Sequence, residues 1–184
     1  MIRLLGVAFC PKVDGADLLP SSGGFVIAAN HLSGSDSFAI AQALGSRPVR
    51  TMAKNELFAR PLLGRLVRLL GAFPAHNRGP FPGGVERAAE LAAAGAVVVI
   101  FPEGMRRRSR APRPRTGAAH TALEAGVPLV PVALRGTDGW RRGRRWNIAI
   151  GDPVALDDLH EDEPAAAARE ATRRLWRAVT ALAA

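Results

Sequence analysis

His31 and Asp36 have the types and spacing to move a proton together. They lie in Asn30-His31-Leu32-Ser33-Gly34-Ser35-Asp36, directly after the apolar run Phe25–Ala29 and before a helical pattern over Ser37–Leu44. The imidazole then stands at the end of a strand and the carboxylate near the start of a helix, with a turn between them that folds one onto the other. A carboxylate that accepts a hydrogen bond from one ring nitrogen fixes the tautomer and leaves the other nitrogen to take a proton. It also stabilises the imidazolium that results. The same spacing suits a histidine that only caps a turn, so the pair by itself does not establish catalysis.

Three further segments have chemistry-bearing residues. Phe101-Pro102-Glu103-Gly104 follows the apolar run Ala96–Ile100, which places Glu103 at the carboxyl edge of a strand, where ligand contacts gather in α/β sheets. Arg106, Arg107, Arg108, Arg110, Arg113 and Arg115 come next, a set of anion donors that would equally suit a solvated loop or a nucleic-acid contact. Gly71 to Arg78 reads as a short extended segment that delivers Arg78 to a loop, and an ordinary surface arginine fits there too. In Val127 to Val132, Pro128 and Pro131 stiffen a strand and remove two backbone donors, a structural pattern that also suits one wall of a pocket. No Gly-x-Ser-x-Gly elbow is present, and the single Cys10 lies far along the chain from any base, which disfavours a covalent acyl-enzyme route. The four histidines have no paired metal-ligand spacing, so no metal is expected.

Taken in order, these segments resemble the four sequence blocks of the glycerolipid acyltransferase family, which includes the 1-acyl-sn-glycerol-3-phosphate acyltransferases. Asn30-His31-x4-Asp36 resembles the catalytic block. Gly71 to Arg78 resembles the second, Phe101-Pro102-Glu103-Gly104 the third and Val127 to Val132 the fourth. Pro114-Arg115-Thr116-Gly117-Ala118 is similar to the basic-x-Gly-Ala stretch between the last two, with Arg115 in place of the usual lysine. The resemblance spans roughly residues 24–136. Departures are Met105 where the family commonly has Thr, His76-Asn77 before Arg78, and Gly34-Ser35 inside the catalytic block. N-terminal membrane helices that many members carry are absent from these residues.

The resemblance implies an enzyme that transfers a fatty acyl group from acyl-coenzyme A or acyl-carrier protein, as co-substrate rather than cofactor, to the hydroxyl of a glycerol-phosphate-type acceptor. The first choice of acceptor is 1-acyl-sn-glycerol-3-phosphate, giving phosphatidic acid, with another lyso-lipid as the alternative. It implies His31 as general base oriented by Asp36. It also implies an acceptor site made from Arg78, Glu103, Gly104, Arg106 and Arg115, with Arg78 on the phosphate and Glu103 on a hydroxyl. A non-catalytic lipid-binding relative and a thioesterase are the nearest rivals. A nucleic-acid module is not expected, because few aromatics interleave the arginines and the chain has no tyrosine.

Positioning such residues takes a sheet. Apolar runs read as strands at Phe25–Ala29, Val49–Ala53, Ala96–Phe101, Pro128–Leu134 and Trp146–Ile150, with an early edge strand somewhere in Arg3–Val13. Helical patterns fill the gaps at Ser37–Leu44, Pro61–Leu70, Gly84–Ala94, Thr116–Ala125 and from Pro164 towards Leu182, several of them closed by glycine. The alternation predicts one α/β domain over residues 1–184, with a central mixed, largely parallel sheet flanked by helices, and the resemblance implies the arrangement of the glycerol-3-phosphate acyltransferases.

Composition sets the surroundings. Lys and Arg number 25 against 16 Asp and Glu, a net charge of +9 that favours anionic partners. A lone cysteine permits no intrachain disulfide. No apolar run reaches the roughly 20 residues of a membrane span. The expectation is a cytoplasmic protein, peripheral on the inner face of a membrane. Leu57–Leu70, with Arg60, Arg65 and Arg68 among leucines, reads as a basic amphipathic helix for that contact, or else as a helix packed on the sheet.

Overall fold

A computed structural model describes residues 11–75, 83–104, 113–138, 145–159 and 163–184. Strands form at β1 Lys12–Asp14, β2 Phe25–Ala29, β3 Val49–Lys54, β4 Ala72–Ala75, β5 Val97–Ile100, β6 Leu129–Arg135 and β7 Asn147–Ile150. Helices form at α1 Asp36–Ala43, α2 Asn55–Phe58, α3 Pro61–Leu69, α4 Gly83–Ala93, α5 Gly117–Ala125 and α6 Pro164–Ala183. The strands make a seven-stranded sheet in the order β1-β7-β6-β2-β5-β3-β4. From β6 to β4 all neighbours run parallel, whereas β7 lies antiparallel to β6 and parallel to β1. This is the mixed, largely parallel sheet that the alternation of elements implies.

The central strands β2 and β5 are buried at every residue, as expected of parallel strands covered on both faces. Their side chains alternate between two cores. Val26, Ala28, Val98 and Ile100 pack with Ala88, Ala119, Leu175 and Val179 beneath α4, α5 and α6. Phe25, Ile27, Val97 and Val99 pack with Ala39, Ile40 and Leu44 of the α1 segment on the opposite face. The entry to β2 passes close under α4. A Cβ at Gly24 would fall 1.9 Å from the Ala92 carbonyl oxygen, so no side chain fits there. The last helix begins with Pro164, and Glu163 caps it by accepting bonds from the Ala165 and Ala166 amides at 3.1 and 2.9 Å.

Two elements differ from the sequence expectation. Leu57–Leu70 is not one amphipathic helix but α2 and α3, the second being the helix expected from Pro61. Arg60 is extended, as the residue before a proline tends to be, and Pro61 starts the second helix. The early edge strand is short, Lys12–Asp14, and the expected portion before residue 11 lies outside the described residues. At the other edge Pro74 sits within β4, where a missing donor is tolerated.

Candidate functional site

The strands β6, β2 and β5 are adjacent and parallel, so their carboxyl ends open onto one edge of the sheet. Beyond these ends come Thr137, His31 and Glu103, residues distant in sequence that the fold brings into one neighbourhood.

Asp36 is the first residue of α1, and its side chain is fully buried. Its Oδ2 lies 2.7 Å from His31 Nδ1. The same oxygen accepts the backbone N–H groups of Leu32 at 2.7 Å and Ser33 at 2.9 Å, so the turn wraps around the carboxylate. Burial alone would push the Asp36 pKa up. The bonds from His31, Ser33 and Leu32 outweigh it and hold the carboxyl below its usual value of 3.8. The buried Thr137 hydroxyl adds to this attraction from a position short of good hydrogen-bond geometry. An ionised carboxylate only accepts hydrogen bonds, so His31 Nδ1 carries a proton, and in the neutral ring Nε2 then has the lone pair. The His31 side chain is 19% exposed, reachable but sheltered. The arrangement can therefore take a proton at Nε2 and stabilise the resulting cation through Nδ1.

The surrounding contacts set the pose of His31. Its ring stacks on Phe101 with centroids 4.2 Å apart and planes 18° from parallel. Its backbone N–H donates to Glu103 Oε1 at 3.2 Å. Asn30 is buried, and its amide replaces a strand pairing: Oδ1 accepts Leu134 N–H at 2.7 Å, and Nδ2 donates to Leu134 O at 3.0 Å. The serines bind each other within the turn, Ser33 Oγ to Ser35 Oγ at 2.6 Å, and Ser35 Oγ donates to Thr137 O at 3.4 Å.

The sequence-derived residues are distributed as follows. His31, Asp36, Glu103 and Gly104 come together at the carboxyl edge. Gly104 has φ +69°, and the Arg115 guanidinium folds across it, so close that a Cβ would meet Nε at 2.9 Å. Arg115 N–H also donates to Pro102 O at 2.8 Å, tying the basic segment back to the end of β5. Arg78 and Arg106 lie outside the described residues, as do His76, Asn77 and Met105. The strand that leads to Arg78, β4, ends at the same edge as β5.

Residues that spacing did not single out for a role are Phe101, Thr137 and, as a separate anchor, Asn30. Asn30 carried one signal: a polar residue closing a wholly apolar strand must find partners when buried. The stacking of Phe101 and the approach of Thr137 had no sequence signal, since each depends on which strands become neighbours.

The segment Leu57–Leu70 turns one leucine-rich face to solvent, while Phe58, Leu63 and Val67 are half-buried. Leu62 is 86% exposed and Leu69 74%, with Leu66 and Leu70 about half exposed. Among the described residues no helix is long and apolar enough to cross a membrane.

A family model described as Acyltransferase matches residues 10–135. A 1-acyl-sn-glycerol-3-phosphate acyltransferase from Bacillus subtilis is 32% identical over 152 residues, covering 80% of this chain and 75% of that protein. One of the same name from Escherichia coli is 32% identical over 132 residues, covering 70% of this chain and 52% of that protein. The chain thus spans between half and three quarters of these relatives. The crystal structure of the 1-acyl-sn-glycerophosphate acyltransferase PlsC from Thermotoga maritima superposes with a TM-score of 0.69 at 22% identity, covering 95% of this chain and 72% of that one, a likeness of fold.

Proposed function

The chain belongs to the acyltransferase family, and from that premise we propose that it transfers a fatty acyl group from acyl-coenzyme A or acyl-carrier protein to the free hydroxyl of 1-acyl-sn-glycerol-3-phosphate, giving phosphatidic acid. The observation that carries this reading is the contact of His31 Nδ1 with the buried Asp36 carboxylate at 2.7 Å, at a sheet edge that also holds Glu103 and Arg115. His31 Nε2 takes the acceptor's hydroxyl proton as its oxygen bonds to the thioester carbonyl. The tetrahedral intermediate collapses, the carbon–sulfur bond breaks, and the thiolate leaves with the proton from the imidazolium. Asp36 holds the productive tautomer and stabilises the cation in between. Arg115, folded over Gly104, together with Arg78 and Arg106, supplies positive charge for the acceptor phosphate, with the planar fork suited to it.

The acceptor and product are lipids, so the reading includes work at a membrane surface on its cytoplasmic side. The exposed leucines of α3, with Arg60, Arg65 and Arg68 beside them, support attachment through Leu57–Leu70: an apolar stripe for the acyl region and basic side chains for anionic head groups.

The test is acyl transfer from a long-chain acyl-coenzyme A to a panel of lyso-lipid acceptors, wild type against His31→Ala. Turnover should fall by about 10²–10⁴-fold in the variant, with the circular dichroism unchanged. Equal turnover in the two proteins defeats the proposal, and a clear preference for another lyso-lipid replaces the acceptor named here.

A further inference from the structure

We propose that Glu103 and Asn30 are positioning residues that clamp the main chain of the base between β5 and β6, so that Glu103 serves the His31 loop rather than the acceptor head group. The inference rests on the acyl-transfer reading of His31.

The case begins where β2 ends. Its main-chain pairing with β6 runs to Ala29 opposite Val132. There the chain must leave the sheet, because a histidine inside the ladder would hold its ring on a core face. The turn it enters, Leu32-Ser33-Gly34-Ser35, contains small residues that leave the backbone pliant. Asp36 fixes the imidazole only as well as the main chain of residues 30–31 is itself held.

Two side chains hold it from opposite sides. The Asn30 amide continues the ladder onto β6 through both its donor and its acceptor, at 3.0 and 2.7 Å from Leu134. From β5 the Glu103 carboxylate accepts the very next amide, that of His31, at 3.2 Å. Both clamping residues are at least nine-tenths buried, Asn30 at 8% and Glu103 at 9% exposure. Two residues upstream, Phe101 stacks on the ring of the same histidine at 4.2 Å. The end of β5 thus fixes both the amide and the ring plane of His31. A proton acceptor displaced by about 1 Å can lose 10²-fold in rate, so this clamp governs turnover without touching substrate.

The experiment compares Glu103→Ala, Glu103→Gln and Asn30→Ala with wild type by two readouts: kcat and acceptor KM in acyl transfer, and amide hydrogen exchange at His31 in the substrate-free protein. Glu103→Ala and Asn30→Ala should lower kcat by about 10–100-fold with acceptor KM within about twofold, because only the base is displaced. His31 exchange should quicken by at least about tenfold while amides of the β2 core stay protected. Glu103→Gln keeps a carbonyl oxygen for the His31 amide and should restore kcat to within about threefold of wild type. A rise in acceptor KM of about tenfold at unchanged kcat in Glu103→Ala overturns the proposal, as does a glutamine no better than alanine or unaltered exchange at His31. If wild type itself transfers no acyl group, the proposed reaction fails, and the exchange rates alone still decide the clamp.

Discussion

Replacing Asp36 by asparagine should cost turnover about 5–30-fold, well short of the roughly 10⁴-fold loss that the same change causes in serine-protease triads. The difference comes from the turn. In a triad the asparagine can present its NH2 to the imidazole and force the wrong tautomer. Here Oδ2 accepts three donors at once, His31 Nδ1 at 2.7 Å and the amides of Leu32 and Ser33 at 2.7 and 2.9 Å. An NH2 group at that point would leave the N–H donors of Leu32 and Ser33 without an acceptor, so the carbonyl oxygen of asparagine is favoured there, and Nδ1–H still donates. The tautomer survives and only the charge is lost. A hydrogen bond to a charged group contributes about 1.5–3 kcal/mol and a neutral one about 0.5–1.5. The imidazolium then loses about 1–2 kcal/mol of stabilisation, which at 1.36 kcal/mol per decade is the stated factor. The assay is steady-state release of free coenzyme A thiol at saturating acceptor, for wild type and Asp36→Asn, with thermal unfolding as a check on folding. A loss near 10⁴-fold would show that the amide flips, and a loss under twofold that the carboxylate charge does not serve His31. Either result refutes the reasoning.

The same carboxylate should make the fold acid-sensitive. Its pKa in the folded protein lies below the usual 3.8, so it contributes stability that is fully present above that value and is lost as pH falls from it through the lower folded pKa. Urea unfolding midpoints of wild type should therefore drop more steeply below about pH 4 than those of Asp36→Asn, and parallel curves would remove the effect from this residue. At the surface, changing Leu62, Leu66 and Leu69 together to glutamine should abolish flotation with anionic vesicles while thermal stability holds, because Leu62 and Leu69 are 86% and 74% exposed. Unchanged flotation would place the lipid contact elsewhere.

Much of this protein was legible along the chain. The runs Phe25–Ala29 and Ala96–Ile100 are long enough, apolar enough and sharply enough ended to be buried parallel strands, and glycines 45, 95 and 126 do stop helices. The pairing of His31 with Asp36 was legible too, because contacts across a short turn are decided by local geometry. The order of the remaining blocks supplied the family. What local patterning did not supply is everything that depends on which strands become neighbours. The helix start at Pro61 was legible as well, and only the reading of Leu57–Leu70 as a single amphipathic helix is broken, at the extended Arg60. Leucines that were equally suited to a core or an interface are exposed on α3, beside the sheet's β4 edge.

The sequence by itself thus determined the proton-transfer pair and the elements that flank it, since both depend on interactions within a few residues. Tertiary structure alone decided that Leu134, Phe101, Glu103 and Thr137 surround that pair. These contacts cross from β6 and β5 to β2, strands far apart in sequence, and only the hydrogen-bonded order β6-β2-β5 brings their carboxyl ends to one edge. That order follows from burying apolar side chains on both faces of the sheet, a property of the whole chain and not of any segment of it.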